Sequence, residues 1–119
     1  MKTEIVKNSS FGLCIFREED GSLYWQGTFN GATIKSALPV EEECIILLDP
    51  DANKKSLFKN LFRINYNGEP RWVAELPGNP DAFMDMRLER GILIARSWSG
   101  YSISIDIHSG KRLNQKFTK

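Results

Sequence analysis

A chain of 119 residues, 41% hydrophobic and 26% charged, fits one ordinary folded domain and can bury a core without disulfide or metal staples. Sixteen basic residues against fifteen acidic ones leave a net charge of +1, which excludes the overall field of a general nucleic-acid binder and makes any charge-driven recognition local. The longest apolar run, Cys44-Ile45-Ile46-Leu47-Leu48, is far shorter than the about 20 residues of a membrane-spanning helix, and the first eight residues meet charge before a signal-peptide core develops; no membrane contact and a cytoplasmic location are expected.

Short runs rich in β-branched and aromatic residues alternate with Gly, Asn, Asp and Pro, so the expected class is all-β and antiparallel. Glu4-Ile5-Val6 is the first strand candidate. A hairpin follows, from Leu13-Cys14-Ile15-Phe16 through a turn closing on Gly21 to Leu23-Tyr24-Trp25. Residues 32–38 and 44–48 form the next two candidates. After Pro50-Asp51, the spacing of Leu57, Phe58, Leu61 and Phe62 predicts one short helical turn. A second hairpin starts at Leu61, turns on Asn67-Gly68 and places Trp72 four residues past the glycine, as Trp25 follows Gly21. Residues 82–88 and 92–95 then precede a third hairpin, which runs from Ser102 to Gly110 and returns through Lys111-Arg112-Leu113. Here Asn114 stands in the tryptophan position.

The turn glycines at 21, 68 and 110 give repeats of 47 and 42 residues, near the roughly 40 to 50 of a propeller blade. The units run roughly 1–30, 31–78 and 79–119 of a single domain. No residues remain for a fourth strand before Glu4, so about 11 strands are expected in three propeller-like blades, a half β-propeller. The third hairpin, with Asp106 and Ser109-Gly110-Lys111, resembles the blade motif of quinoprotein-type propellers; the first two units have Arg17 and Ile64 where the Asp falls. That resemblance implies architecture, not quinone binding. A small β-sandwich or open barrel is the competing topology.

Catalysis is not expected. His108, the single histidine, lies at a hairpin tip beside Ser109-Gly110 with no nucleophile motif nearby, and reads as a solvated turn residue. Cys14 and Cys44 sit in apolar runs as small core residues; neither they nor His108 have metal-ligand spacing, and no cofactor fingerprint occurs. A hydrolase or nucleic-acid-processing enzyme centred on His108 is the catalytic alternative.

Binding is the better-supported class. Glu18, Glu19 and Asp20 form one acidic turn, Glu41, Glu42 and Glu43 a second, and Asp49 and Asp51 flank a third, with no base between 41 and 51. Solvated turns and edge protection account for such groups singly; gathered at one end of stacked sheets they make a patch for a basic partner. Lys54, Lys55, Lys59, Arg63 and Arg71, with Phe58, Phe62 or Trp72, are the competing set for phosphates and bases, although direct nucleic-acid binding is not expected. Trp25 and Trp72, equivalent in the repeat, are expected between sheets. Trp98 and Tyr101 lie in a run of small residues, either as interface anchors or folded back over the core.

An incomplete propeller has open flanks, which favours association. With its size, strand pattern, acidic turns and lack of a signal segment, the chain resembles the small cytoplasmic immunity proteins of bacterial contact-dependent growth inhibition systems, among which a half-propeller is paired with a ribonuclease A-like toxin. The resemblance implies binding to a basic toxin domain and occlusion of its active site, with Trp98 or Tyr101 as the buried anchor. The alternative is a homodimer in which two half-propellers close one ring.

Overall fold

The computed structural model describes residues 3–8, 12–17, 23–27, 34–41, 43–52, 58–65 and 69–117, with the side chains of 34–41, 43–51, 58–65 and 69–117. Among the described residues, every regular element longer than one turn is a strand. β1 (Thr3–Asn8), β2 (Gly12–Arg17) and β3 (Leu23–Gly27) pair in the order β1-β2-β3. β4 (Ile34–Val40), β5 (Glu43–Leu48), β6 (Leu61–Ile64) and β7 (Pro70–Val73) form a four-stranded sheet in chain order. So do β8 (Phe83–Glu89), β9 (Ile92–Ser97), β10 (Tyr101–Asp106) and β11 (Arg112–Phe117). All neighbours are antiparallel, as short hairpin connections require.

The repeat extends to backbone irregularities. In β2–β3, Ile15 pairs with Trp25 and Phe16 with Leu23, leaving Tyr24 as an extra residue. In β6–β7, Arg63 pairs with Trp72 and Ile64 with Pro70, leaving Arg71. In β10–β11, Ser104 pairs with Asn114 and Ile105 with Arg112, leaving Leu113. Each hairpin therefore carries a β-bulge at the residue before its Trp or Asn, and a bulge re-aims the side chain it displaces.

Within 51–62, where one short helical turn was expected, the described residues hold a 3₁₀ turn at Pro50–Ala52, where Asp49 Oδ1 accepts the Asp51 N–H at 2.9 Å, and residues 53–57 lie outside those described. Leu61 and Phe62 instead open β6; Leu57 lies outside the described residues. The reason is that this sheet is covered on both faces. Leu61 points into the core shared with the β8–β11 sheet, and Phe62 into the core on the opposite side. A doubly covered strand reads as a continuous apolar run, and here it mimicked helical spacing.

The first core holds Ile45, Leu47, Leu61, Trp72 and Ala74 against Phe83, Leu93, Ala95, Ile103 and Ile105. Each large side chain contributes about 1.5–3 kcal/mol by leaving water. Trp72 is the bridge between the sheets, as the repeat predicted: its Nε1 donates to the Ile107 carbonyl at 2.8 Å, and its ring lies against Gly110. Trp25 lies in β3, and its side chain is outside those described. The second core, on the other face of β4–β7, holds Ile34, Cys44, Ile46, Leu48, Phe62 and Ile64.

Strand register aligns the two four-stranded sheets position by position. On the face that β4–β7 turns to the next sheet stand Ile45, Leu47, Leu61, Arg63, Trp72 and Ala74. The equivalent positions on the far face of β8–β11 are Ile94, Arg96, Ser102, Ser104, Asn114 and Lys116. On that far face Arg96 holds Asp85 through both its Nε, at 2.8 Å, and its Nη2, and Arg87 approaches Glu89 at 3.3 Å. It is thus charged where the equivalent face of β4–β7 is mostly apolar.

Candidate functional site

The β9–β10 turn, Ser97-Trp98-Ser99-Gly100, is built around a buried carboxylate. Asp81 is 4% exposed and lies just before β8. Its Oδ1 accepts the N–H groups of Ala82 and Ser99, both at 3.0 Å. Its Oδ2 accepts the Gly78 N–H at 3.0 Å and the Ser99 hydroxyl at 2.6 Å. Trp98 N–H donates to the Ala82 carbonyl at 2.8 Å, and Tyr101 N–H to Ser97 Oγ at 3.2 Å. These bonds satisfy both oxygens of the buried Asp81 side chain and tie the turn to the residues just before β8. Gly100, at φ 100°, takes the backbone through a region other residues avoid.

The indole of Trp98 nevertheless stays 59% exposed. The ring therefore does not fold back as cover over the core, the first of the two sequence expectations; it faces solvent. Tyr101 opens β10 instead of lying in the loop; it is half-buried, with its ring 5.2 Å from that of Phe117 and tilted by 58°. Asn60, fully buried, ties this end of the sheets together. Its Nδ2 donates to the carbonyls of Leu48 and Phe83, and its Oδ1 accepts the Phe83 N–H at 2.8 Å.

Among the described residues, the acids expected to gather lie at two ends of the sheet. Asp49 and Asp51 follow β5 and lie at the Trp98 end, whereas Glu41 precedes β5 and Glu43 opens it at the opposite end, about 20 Å away along a six-residue strand. Glu43 belongs to the framework: its Oε1 accepts Arg63 Nε and its Oε2 accepts Arg71 Nε, both at 2.8 Å, while buried Arg63 also donates from Nη1 to the Ile107 carbonyl at 2.8 Å. Glu41 Oε1 accepts from His108 Nε2 at 2.6 Å, joining the turns of two sheets. Glu18, Glu19, Asp20 and Glu42 lie outside the described residues.

His108 is exposed, as expected of a turn tip. Asp106 shapes that turn by accepting the His108 N–H at 2.8 Å and the Ser109 N–H at 3.4 Å, and these bonds hold its carboxyl below the usual range. Of the phosphate-tracking set, Glu43 engages Arg63 and Arg71, Lys59 pairs with Glu75 at 3.1 Å, and Phe62 and Trp72 are buried, while Lys54 and Lys55 lie outside the described residues. Cys44 is a free, buried thiol, and desolvation pushes its pKa up to about 12, so it is inert at neutral pH. Among the described residues no group of three His, Cys, Asp or Glu side chains is placed to hold a metal, and no helix is long and apolar enough to cross a membrane. The sequence reading missed Asp81 and Asn60, whose buried contacts reach 18 residues to Ser99 and 23 residues to Phe83; the only local signal is the turn-forming Asn-Pro-Asp run at 79–81.

Several solved structures share the architecture. The computationally designed Ika4 protein aligns with a TM-score of 0.67 at 11% identity, over 100% of this chain and 69% of its own. The designed Ika8 protein gives 0.64 at 11% identity, over 100% of this chain and 35% of its own. BamB from Moraxella catarrhalis gives 0.58 at 18% identity, over 99% of this chain and 38% of its own. The chain thus spans a little over a third of the length of Ika8 and BamB, and the likeness is one of fold, β-propeller-like. No curated protein matches it. The model of one family, described as a domain of unknown function (DUF7957), matches residues 28–117, and the chain belongs to that family.

Proposed function

We propose that the three sheets are successive blades of a half-propeller, and that the chain acts by binding a protein: an immunity protein of the contact-dependent growth inhibition kind, which occludes the active site of a cognate toxin, with a ribonuclease as the toxin class. The observation that carries the binding reading is Trp98, exposed on a turn that Asp81 fixes from beneath. An anchor already held in place loses little entropy on docking, which is why pinned tryptophans dominate interfaces. Asp49 and Asp51, at the same end, supply the negative charge that a basic, RNA-binding cleft would meet. Occlusion needs no chemistry from this chain.

Ring closure by two copies is the weaker reading. It would place Arg96, Asp85, Arg87, Glu89 and Lys116 against another sheet, where the equivalent face of β4–β7 is apolar. Burying such charges costs more than their pairing returns.

The test is purified chain mixed with the toxin domain encoded immediately upstream. Expected are a complex by calorimetry, loss of RNA cleavage, and weakening of about 30-fold or more with Trp98→Ala, as for an anchor worth at least about 2 kcal/mol. Retained cleavage with no complex would sink the proposal. Light scattering should give a monomer for the free chain; a stable dimer would favour ring closure.

A further inference from the structure

One corner of the far face of β8–β11 reverses the pattern of the rest. On the equivalent face of β4–β7, the cluster of Glu43, Arg63 and Arg71 receives the tip of the following hairpin. Arg63 Nη1 and Trp72 Nε1 both donate to the Ile107 carbonyl at 2.8 Å, and His108 Nε2 meets Glu41 Oε1 at 2.6 Å. Strand register carries these positions onto β8–β11 one by one. Ile92 stands for Glu43, Ser104 for Arg63, Leu113 for the bulge residue Arg71, and Asn114 for Trp72. In the two turns that open β5 and β9, Arg90 stands for Glu41, and both have a positive φ, 49° and 46°.

The ions of the cluster are thus exchanged for apolar residues, and the acceptor at the turn is exchanged for a cation. Ile92 is 40% and Leu113 57% exposed. Ile92 and Ile94 line an open groove of about 450 Å³, together with Glu89, Arg90 and Ser104. Glu89 is held by Arg87 at 3.3 Å, and Asp106, beside Ile92, by the N–H groups of its own turn. Arg90 pairs with no acid among the described residues. The row of Asp85, Arg96 and Lys116 crosses the face near the other end of β9, so a hairpin tip can cover the corner without burying it, as a stacked sheet would.

We infer that this corner is a second docking surface, which takes a β-hairpin tip of a protein partner in which an apolar residue is followed by a carboxylate. The form of the occupant is that of the chain's own hairpin, whose Ile107-His108 tip is seated on the same positions one sheet earlier. Its chemistry follows from the exchange of residues: the apolar side chain meets Ile92 and Leu113, and a carboxylate in the place of His108 meets Arg90. A tip with a cation there would face a like charge. The β8–β9 turn lies at the opposite end of β9 from Trp98, so this site stands or falls independently of the toxin reading.

The probe is a fluorescein-labelled, end-cyclised peptide of the chain's own hairpin, residues 101–117, carrying His108→Glu and titrated by anisotropy against the intact chain, with a His108→Lys peptide as control. The Glu peptide is expected to bind at least tenfold more tightly than the Lys peptide. That order should reverse in Arg90→Glu, binding should weaken in Ile92→Ser, and Trp98→Ala should change nothing. Glu41 already occupies the backbone conformation of Arg90, so Arg90→Glu adds no strain, and an unaltered melting temperature confirms folding. Should Ile92→Ser melt early, Leu113→Ser provides the same reading. Absence of binding by the Glu peptide, equal binding of the two peptides, or indifference to Arg90→Glu would overturn the inference. So would a dimer of the free chain that Arg90→Glu dissociates, since the occupant would then be a second copy.

Discussion

Gly110 is where the β10–β11 turn meets the tryptophan of the preceding sheet, and replacing it by alanine separates two costs. Its φ of +75° lies in the left-handed region, where a Cβ costs about 1–2 kcal/mol. A Cβ built there also falls 2.5 Å from Trp72 Cγ, 2.6 Å from Cδ2 and 2.8 Å from Cβ, well inside contact distance. Trp72 cannot simply move aside, because it is buried between two sheets and held by its bond to the Ile107 carbonyl. Overpacking of that kind costs a further 1–3 kcal/mol or so, giving about 2–5 kcal/mol in all.

Gly91 supplies the control. It has nearly the same φ, +79°, in the two-residue β8–β9 turn, but nothing lies within 4 Å of its would-be Cβ. Gly91→Ala should therefore lose only the backbone contribution, about 1–2 kcal/mol. Urea unfolding of both variants followed by tryptophan fluorescence measures the difference, and Trp72→Ala combined with Gly110→Ala should recover most of the packing loss. Equal losses for the two glycines, or no recovery in the double variant, would refute the idea that Trp72 seated on Gly110 clamps the sheets.

Glu43→Ala should destabilise the fold by about 3 kcal/mol, read from the same urea curves, because it leaves the Arg63 guanidinium buried without its carboxylate. Two pH windows follow from named groups. Asp85 is held below the ordinary carboxyl range chiefly by its hydrogen bond from Arg96, so its contribution is present above the unfolded value of about 4 and disappears as pH falls through the lower folded value; Asp85→Asn should flatten the acid limb of a melting-temperature series between pH 5 and 2. Cys44 behaves in the opposite sense: burial favours its neutral thiol, so its contribution is complete below the ordinary thiol value and fades as pH rises toward about 12. By pH 10.5 wild type should have lost about 2 kcal/mol more than Cys44→Ala has over the same range.

Strand positions, hairpins and the inter-sheet role of Trp72 were legible in the sequence because they depend on period-two alternation and on turn residues within a few positions. The helical spacing at 57–62 misled because a strand buried on both faces loses that alternation; Leu61 and Phe62 are both core, on opposite sides of one sheet. Charge was the least legible property. Arg63 and Arg71 lie 20 and 28 residues from Glu43 in the chain, and only sheet register makes the three one cluster. The Trp98 turn was legible as a loop with aromatics; its hydrogen bonds to Asp81 were not, since that side chain lies 18 residues from Ser99 in the chain.

The replacement of tryptophan by Asn114 takes on a physical meaning from these contacts. Trp72 bridges β4–β7 to the following sheet, bonding the Ile107 carbonyl and covering Gly110, so a tryptophan at this repeat position is useful only where another hairpin lies alongside. Asn114 faces the charged outer side of β8–β11 with Ser104 and Lys116, and its Oδ1 accepts the N–H of Gln115. A tryptophan there would leave its ring exposed beside Lys116 with no hairpin alongside to cover it. Asparagine keeps that face polar, so β8–β11 presents a buried apolar face only toward β4–β7.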